Sequence, residues 1–194
     1  MPPFFPKLRH MKIPVALLAT ALLSVPPAPA QAPATSKSAT VDVVESNGNA
    51  AMLDSWATAY GSFEKTKATT RALGITVRNM SATAPGEFEI EWFFFGKPAS
   101  GGTRFLYDKG SKPLAVKPSG VEKFAIASKE LVSERYHSAY SGYTYHSGKK
   151  ADGWLVRVKS GGEVIRVKGS DAQLEQIERD KARFEALLKT MRAP

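Results

Sequence analysis

The stretch GWLVRVKSGGEVIRVKG, residues 153–169, constrains the fold more than any other, because two runs of alternating apolar and polar residues flank a pair of glycines. Alternation of this kind is typical of a β-strand with one buried face. Gly161 and Gly162 suit a two-residue turn in which both residues have positive φ. The pattern predicts a β-hairpin, and its simplest register pairs Val158 with Ile165 on the buried face.

The polar face of this hairpin carries four basic residues, which are our candidates for binding a partner: Arg157, Lys159, Arg166 and Lys168. The predicted register sets Arg157 directly opposite Arg166, and like charges opposed across two strands destabilise a sheet. Two arrangements would relieve the repulsion. Either an acidic row on a neighbouring strand lies beside these cations, or the face binds a protein or polyanionic partner. The sequence leaves both open.

Most of the remaining chain indicates further strands. Residues 71–79 alternate clearly, and residues 86–96 place Phe88, Ile90, Trp92 and Phe94 on one face and a row of glutamates on the other. We expect this row, Glu87, Glu89 and Glu91, to be solvated and paired with basic side chains such as Arg78. VDVV, TRFLY, PLAV and VEKFAIAS predict short strands, separated by turns at SNGN, DKGSK and KPSG. SWATAYGSFEKTKATT predicts an irregular or edge strand.

The C-terminal segment has the pattern of an amphipathic helix over residues 171–191, with Ser170 and Gln173 spaced as a capping box. Short strands at regular spacing, with no βαβ alternation, are typical of an antiparallel sandwich or small barrel. We therefore predict a mainly β protein: an immunoglobulin-like antiparallel β-sandwich with one C-terminal α-helix, forming a single domain over residues 41–194.

The N-terminus has the layout of a secretory signal peptide. A basic segment precedes the apolar run from Ile13 to Val25, and small residues follow at Ala28 and Ala30. We predict cleavage after Ala30, with Met1 or Met11 as the start, and a disordered leader over residues 31–40. Thirteen apolar residues are too few for a membrane span, which needs about 20. The product is expected to be exported, to the periplasm or the cell surface, with no transmembrane segment after cleavage.

Composition narrows the function further. The formal net charge of +9 falls to +6 without Lys7, Arg9 and Lys12, and the absence of cysteine excludes disulfides and thiolate chemistry. No nucleophile elbow or phosphate-binding glycine loop is present. Export, a modest charge and the lack of interleaved aromatic and basic residues argue against nucleic-acid binding. We expect a protein that is not an enzyme and uses no cofactor.

The densest functional residue types occur in YHSAYSGYTYHSGKKADGW, residues 136–154. A reversal of the chain at Ser141-Gly142 would bring its two YHS segments side by side. His137 and His146 alone make a poor metal site, so we predict none. The tyrosines offer flat amphipathic faces for a glycan, although tyrosine is also a common strand residue. They define the alternative function, a carbohydrate-binding module: Tyr136, Tyr140, Tyr143 and Tyr145.

Three segments, ITVRNMSATAPGEFEIEWFFFGK, SGKKADGWLVRV and the VIRVKGS that precedes the helix, resemble a group of exported verrucomicrobial proteins with immunoglobulin-like domains. The resemblance spans roughly Thr70 to Leu188. Its most distinctive piece is an SG-x-K-x-x-GW-x-VR signature: Ser147, Gly148, Lys150, Gly153, Trp154, Val156 and Arg157. The resemblance implies a role in pilus or envelope assembly and no catalytic residues. The leading hypothesis is thus a non-enzymatic envelope interaction protein that binds envelope proteins or further copies of itself.

Overall fold

The computed structural model describes residues 36–190, within which eight β-strands precede two short α-helices. The strands are β1 (Ala39–Ala57), β2 (Phe63–Asn79), β3 (Gly86–Pro98), β4 (Phe105–Val116), β5 (Val121–Ala127), β6 (Leu131–His137), β7 (Thr144–Ser160) and β8 (Glu163–Gly169). The helices are α1 (Ala172–Arg179) and α2 (Lys181–Leu188). The predicted mainly β fold is confirmed.

The strands are joined antiparallel in the order β1-β2-β6-β7-β3-β4, with β5 also paired to β2 and β8 to β7. The long strand β7 connects two halves of the sheet. Its first residues, Thr144–Gly148, pair with β6, whereas Lys149–Lys159 pair with β3. Buried residues from both halves share one apolar cluster, so the sheet folds over on itself as an antiparallel β-sandwich.

The core follows the alternation in the sequence. In β2, Leu73, Ile75 and Val77 are buried while Gly74 and Arg78 are exposed. In β3, one face enters the sandwich core, as predicted, through Phe88, Ile90 and Phe94. The opposite face of β3 carries Phe93 and Phe95 into a second cluster, which the helices cover. The molecule therefore has three layers in this region. They are the half of the sheet that contains β2, the half that contains β3, and the helical segment that packs on β3.

The helical segment differs from the single predicted helix. Asp180 has an extended conformation that ends α1, and its side chain accepts a hydrogen bond from the Arg183 N–H to begin α2. The predicted capping box is wrong, since Asp171 caps α1 by accepting from Leu174 N. Ser170 instead accepts a hydrogen bond from Trp154 N. Leu174 and Phe184 are buried, as their apolar spacing predicts.

The hairpin of β7 and β8 forms with the predicted turn, but its predicted register is wrong. Both turn glycines have positive φ, 59° for Gly161 and 83° for Gly162. Beyond the turn, the register shifts between Val158 and Lys159, so that Val158 faces Arg166 instead of Ile165. A bulge is invisible to a count of residues from the turn, and it moves every later residue of β8 by one position.

Two other predicted turns lie inside strands. DKGSK is part of β4, where Gly110 lies opposite Trp92. A Cβ at residue 110 would lie 2.4 Å from the Trp92 ring, so the glycine that suggests a turn instead admits an indole across the strand. SNGN is likewise part of β1, with a register shift between Asn47 and Ala50. The predicted KPSG turn is confirmed by the Gly120 N–H, which bonds to Lys117 O.

Ordered structure begins before residue 41, so the predicted disordered leader is wrong at its C-terminal end. Ser36 N donates to Pro85 O at 2.8 Å, and β1 starts at the fully buried Ala39. The rest of the leader, the predicted signal peptide and Met191 of the predicted helix lie outside the described residues.

Candidate functional site: a two-faced arm

Four strands extend beyond the sandwich core as a sheet that we call the arm. It comprises residues 50–57 of β1, 63–69 of β2, 131–137 of β6 and 144–148 of β7, hydrogen-bonded in that order. Of these residues only Ala68 and Leu131, at the base of the arm, are buried. The arm thus has two open faces.

The tip of the arm is held by its own polar contacts. The turn of residues 58–62 is closed by a bond from Thr58 N to Ser62 O, and the turn of residues 138–143 by a bond from Ser138 N to Tyr143 O. Ser62 Oγ also accepts a hydrogen bond from Ala139 N at 3.0 Å, which ties the two turns together. The reversal predicted near Ser141 is therefore confirmed, and it makes Tyr136 and Tyr145 directly opposite partners.

One face of the arm, the aromatic face, is defined by a row of four residues that cross the strands: Trp56, Glu64, Tyr136 and Tyr145. Residues directly opposite in a sheet share a face. The Trp56 indole donates to Glu64 Oε2 at 2.8 Å, and its ring lies 6.1 Å from that of Tyr136 at a tilt of 53°. All three aromatic rings remain exposed. On the same face Ser147 donates to Glu134 at 2.6 Å.

The other face, the basic face, carries Lys65, Arg135 and His146 in a single cross-strand row. Phe63 lies beside this row and is covered by its neighbours. Its ring stacks on His137 at 5.3 Å, Lys65 Nζ lies 5.3 Å from its centroid and Arg135 Cζ 5.4 Å. These cation–π contacts orient both charges but neutralise neither.

The row forms part of a shallow depression of about 280 Å³, to which two further cations, Lys67 and Lys150, also contribute. Within residues 36–190, no ion pair joins a carboxylate to Lys65, Lys67, Arg135 or Lys150. Glu134 also lines the depression, but its carboxylate is the acceptor for Ser147. A hydrogen bond from a hydroxyl leaves the charge of Glu134 in place, so one carboxylate lines the depression beside four cations that have no ion pair among the described residues, and the basic face keeps a net positive charge.

The predicted basic face of the hairpin does not exist as one surface. Arg157 hydrogen-bonds to Glu91 through Nε at 2.9 Å and Nη2 at 2.5 Å, and Lys159 Nζ lies 2.7 Å from the other carboxylate oxygen. Glu178 of α1 lies 3.6 Å from Arg157. Burial alone would raise the pKa of Glu91, but the hydrogen bonds and charges of Lys159 and Arg157 outweigh it and lower that pKa.

The bulge separates the other two hairpin cations from this network. Arg166 is paired with Val158 and Lys168 with Val156, so both lie on the face of the sheet opposite to Arg157. They belong to the edge strand β8 and are exposed. The predicted pairing of the glutamate row is confirmed for Glu89 and Glu91, which pair with cations of β7, but the prediction that the row is solvated is wrong for Glu91, whose side chain is only 16% exposed. Arg78 is not one of these cations, because it lies on β2 between Thr40 and Val121.

A second group of ion pairs fixes the start of α1. Asp152 accepts a hydrogen bond from Arg104 Nε at 2.9 Å and pairs with Lys97, while Arg104 Nη2 also reaches Asp171, the α1 cap, at 3.2 Å. Burial opposes ionisation of Asp152, yet Lys97 and Arg104 overcome it and lower its pKa. These contacts connect the α1 cap to β3 and β7.

The remaining predicted site residues divide between the arm and its tip. Tyr136 and Tyr145 belong to the aromatic face, whereas Tyr140 and Tyr143 are exposed at the turn of residues 138–143. His137 contacts Thr144 through Nδ1 at 2.9 Å. Among the described residues, no group of three or more His, Asp or Glu could hold a metal ion.

Sequence reasoning missed three residues that the structure adds to the arm: Trp56, Lys65 and Arg135. Each lies 70 or more positions from one of its neighbours on the arm; Lys65 and Arg135, for example, are opposed across β2 and β6. The run SFEKTKATT does alternate Phe63, Lys65 and Lys67 with smaller residues, which was a usable signal for a basic strand face.

No family model matches this chain, and no curated protein matches it. Among solved structures, a β-glucosidase from Kluyveromyces marxianus is 16% identical with a TM-score of 0.30, over 68% of this chain and 13% of the glucosidase. The β-glucosidase DesR from Streptomyces venezuelae is 12% identical with a TM-score of 0.27, over 66% of this chain and 14% of DesR.

A crystal structure from Akkermansia muciniphila is 12% identical with a TM-score of 0.23, covering 73% of this chain and 75% of that one. This chain spans only about a seventh of the length of each of the two β-glucosidases. Structural similarities with TM-scores this low assign no function. Within residues 36–190, no helix has the length and apolar character needed to cross a bilayer.

Proposed function

We propose that this chain is a non-enzymatic, exported interaction protein that binds a protein partner of the cell envelope through the arm. The observation that carries the proposal is the outer edge of β1 at residues 50–57. This segment pairs with β2 on one side, is exposed along its whole length, and is the terminal strand of the sheet order. An unpaired edge offers backbone donors and acceptors to an incoming strand.

The composition of this edge favours pairing with another chain. Met52, Leu53 and Trp56 are 50%, 54% and 42% exposed. Residues 50–57 include no lysine, arginine or proline, and Asp54 is their one charged residue. A register shift between Met52 and Asp54 places Leu53 at an irregular position of the strand, and the stretch of residues 54–57 beyond it pairs regularly with β2.

Export and envelope location complete the proposal. They rest on the signal-peptide pattern of residues 1–30 and on the resemblance to exported verrucomicrobial proteins, which adds a pilus-associated role. N-terminal sequencing of the protein purified from its native host tests this part: a mature chain that begins at Gln31 is expected, and an intact N-terminus in a cytoplasmic fraction would refute export.

The edge is tested by introducing a charge into it. Leu53→Lys places a cation on the exposed edge, and Val164→Lys makes the same change on β8, where Val164 is 39% exposed. Tagged mature protein is cross-linked in its own envelope and recovered. We expect a discrete set of partners with the wild type and the β8 variant, and loss of that set with Leu53→Lys. Equal recovery with both variants would remove the edge as the contact.

A second candidate function, carbohydrate binding, is favoured by the aromatic face. Trp56, Tyr136 and Tyr145 present exposed rings beside the carboxylates of Glu64 and Glu134, a combination of stacking surface and hydrogen-bond acceptors that suits sugar rings. The test is a glycan array with the double variant Tyr136→Ala/Tyr145→Ala, matched by Tyr140→Ala at the tip. Binding that survives the double variant, or an array without hits, contradicts this function.

A further inference from the structure

The basic face of the arm contains a repulsion that the fold itself does not relieve. Lys65 lies directly opposite Arg135, which lies directly opposite His146. Like charges directly opposed across two strands destabilise a sheet. The chain does compensate such charges elsewhere, since Arg157 and Lys159 meet Glu91. The arm thus concentrates positive charge at a surface where no described carboxylate pairs with it.

We propose that the basic face binds an anionic polysaccharide, a linear glycan that carries carboxylate or sulfate groups. The distribution of the cations over the surface favours a polymeric ligand over a small ion. The row of Lys65, Arg135 and His146 crosses three strands, which is roughly 10 Å at the usual strand spacing. Lys67 and Lys150 extend the charge along the strands within the same depression. Such an array contacts several anionic groups of one chain at once.

The face lacks the features that two other anionic partners require. Surfaces that bind single-stranded nucleic acids stack bases on open aromatic rings, whereas Phe63, the aromatic side chain beside the row, is covered by His137, Lys65 and Arg135. An acidic protein interface would normally centre on a buried apolar anchor. The lining of this depression is instead charged and polar apart from Ala99. A flexible, hydrophilic polyanion suits this surface best.

This site is independent of the proposed protein partner, because the basic face and the β1 edge are different surfaces of the arm. Loss of one binding activity is therefore expected to leave the other intact. The edge variant Leu53→Lys should keep polysaccharide binding, whereas removal of the basic row should keep envelope protein partners.

The direct test measures binding of the mature protein to two anionic probes, polygalacturonate and dextran sulfate, with methyl-esterified pectin and unmodified dextran as uncharged counterparts. We expect binding to at least one anionic probe, none to its counterpart, and weaker binding as salt rises from about 50 to about 200 mM. No binding to either anionic probe at the lower salt overturns the proposal.

A matched pair of double variants separates a built site from net charge alone. Lys65→Gln/Arg135→Gln and Arg166→Gln/Lys168→Gln each remove two exposed positive charges. We expect the arm variant to bind about tenfold more weakly or worse, and the β8 variant to stay within about twofold of the wild type. Equal weakening would show that only overall charge matters and would overturn the site.

Competition identifies the class of polyanion, and thermal unfolding checks the fold of each variant. Poly-L-glutamate or duplex DNA that displaces the polysaccharide at equal charge concentration would assign the face to an acidic protein or a nucleic acid and overturn the proposal. The arm variant should unfold close to the wild-type temperature, since the loss of a repulsive pair and the loss of two cation–π contacts with Phe63 act in opposite directions. Binding lost in a variant that melts normally is the supporting result.

Discussion

Two groups of cations, one on β7 and one on the arm, look alike in the sequence and differ in the fold. Arg157 and Lys159 on β7 lie beside the glutamates of β3, and Arg157 also contacts Glu178 of α1 and Phe184 of α2. Lys65 and Arg135 on the arm face each other with no carboxylate partner among the described residues. The first group holds layers of the molecule together, and the second leaves its charge available to the solvent.

The difference follows from what covers each group. The side chains of Arg157 and Glu91 are only 15% and 16% exposed, and a charge at that depth requires a partner because desolvation is costly. Arg157 is further enclosed by two rings, with its Cζ 5.0 Å from Phe93 and 4.6 Å from Phe184. On the arm, water solvates the cations, so folding sets no such requirement. An exposed cluster without counter-charges therefore points to an external ligand more directly than a buried one does.

The largest expected effect comes from removing the cation of the buried group. Arg157→Ala leaves Glu91 with one of its two cationic partners and removes the side chain packed between Phe93 and Phe184, so we expect unfolding free energy to fall by about 2–4 kcal/mol. Denaturant unfolding measures this. Arg166→Ala, an exposed arginine of the same hairpin, serves as the control and should stay within about 0.5 kcal/mol. Similar losses in both variants would contradict the contrast between the two surfaces.

A smaller loss of stability is expected when the pH is lowered. The pKa of Glu91 lies below its ordinary value of 4.5 in the folded chain, and that of Asp152 below 3.8. The unfolded chain therefore binds more protons than the folded chain as pH falls through this range. The contribution of Glu91 and Asp152 to stability is complete when the pH is above their ordinary pKa values. It is lost as the pH falls through the lower pKa values of the folded chain.

Denaturant midpoints measured from pH 7 to pH 2 test this dependence. Glu91→Gln should flatten the acid limb of the curve, because a group that titrates differently in the two states has been removed. Arg166→Ala, which removes no group that titrates in this pH range, provides the control, and its curve should keep the wild-type slope. An unchanged slope for Glu91→Gln would show that this ion pair does not govern acid stability.

The sandwich itself was predictable from local pattern. The buried faces of β2 and β3 and the turn at Gly161-Gly162 follow from alternation and from turn chemistry over a few residues. Irregular pairing was not predictable in the same way. The shift near Val158 depends on how β8 fits β7 and the core, and Gly110 has its role because Trp92 lies across it.

The candidate site was harder still, because it is made by pairing distant segments. The tyrosine-rich stretch contains the end of β6 and the part of β7 that belongs to the arm, and its reversal could be predicted, but Trp56 and Lys65 join it only through the β2–β6 pairing. The hairpin cations were chosen for a like-charge opposition that the bulge removes. The argument that opposed like charges need a counter-charge applies instead to Lys65 and Arg135. These two residues face each other across β2 and β6, which no local count of residues could reveal.

The smallest expected effect has the opposite sign and concerns the arm. Lys65→Glu converts a repulsive pair with Arg135 into an attractive one across β2 and β6, so we expect a gain of about 0.5 kcal/mol in unfolding free energy at low salt, fading at high salt. Lys67→Glu makes the same change opposite Ser133 and should gain less. Both variants should lose polyanion binding. A destabilised Lys65→Glu would mean that the cation–π contact of Lys65 with Phe63 outweighs its repulsion from Arg135, and the arm would then resemble β7, where cations serve the fold.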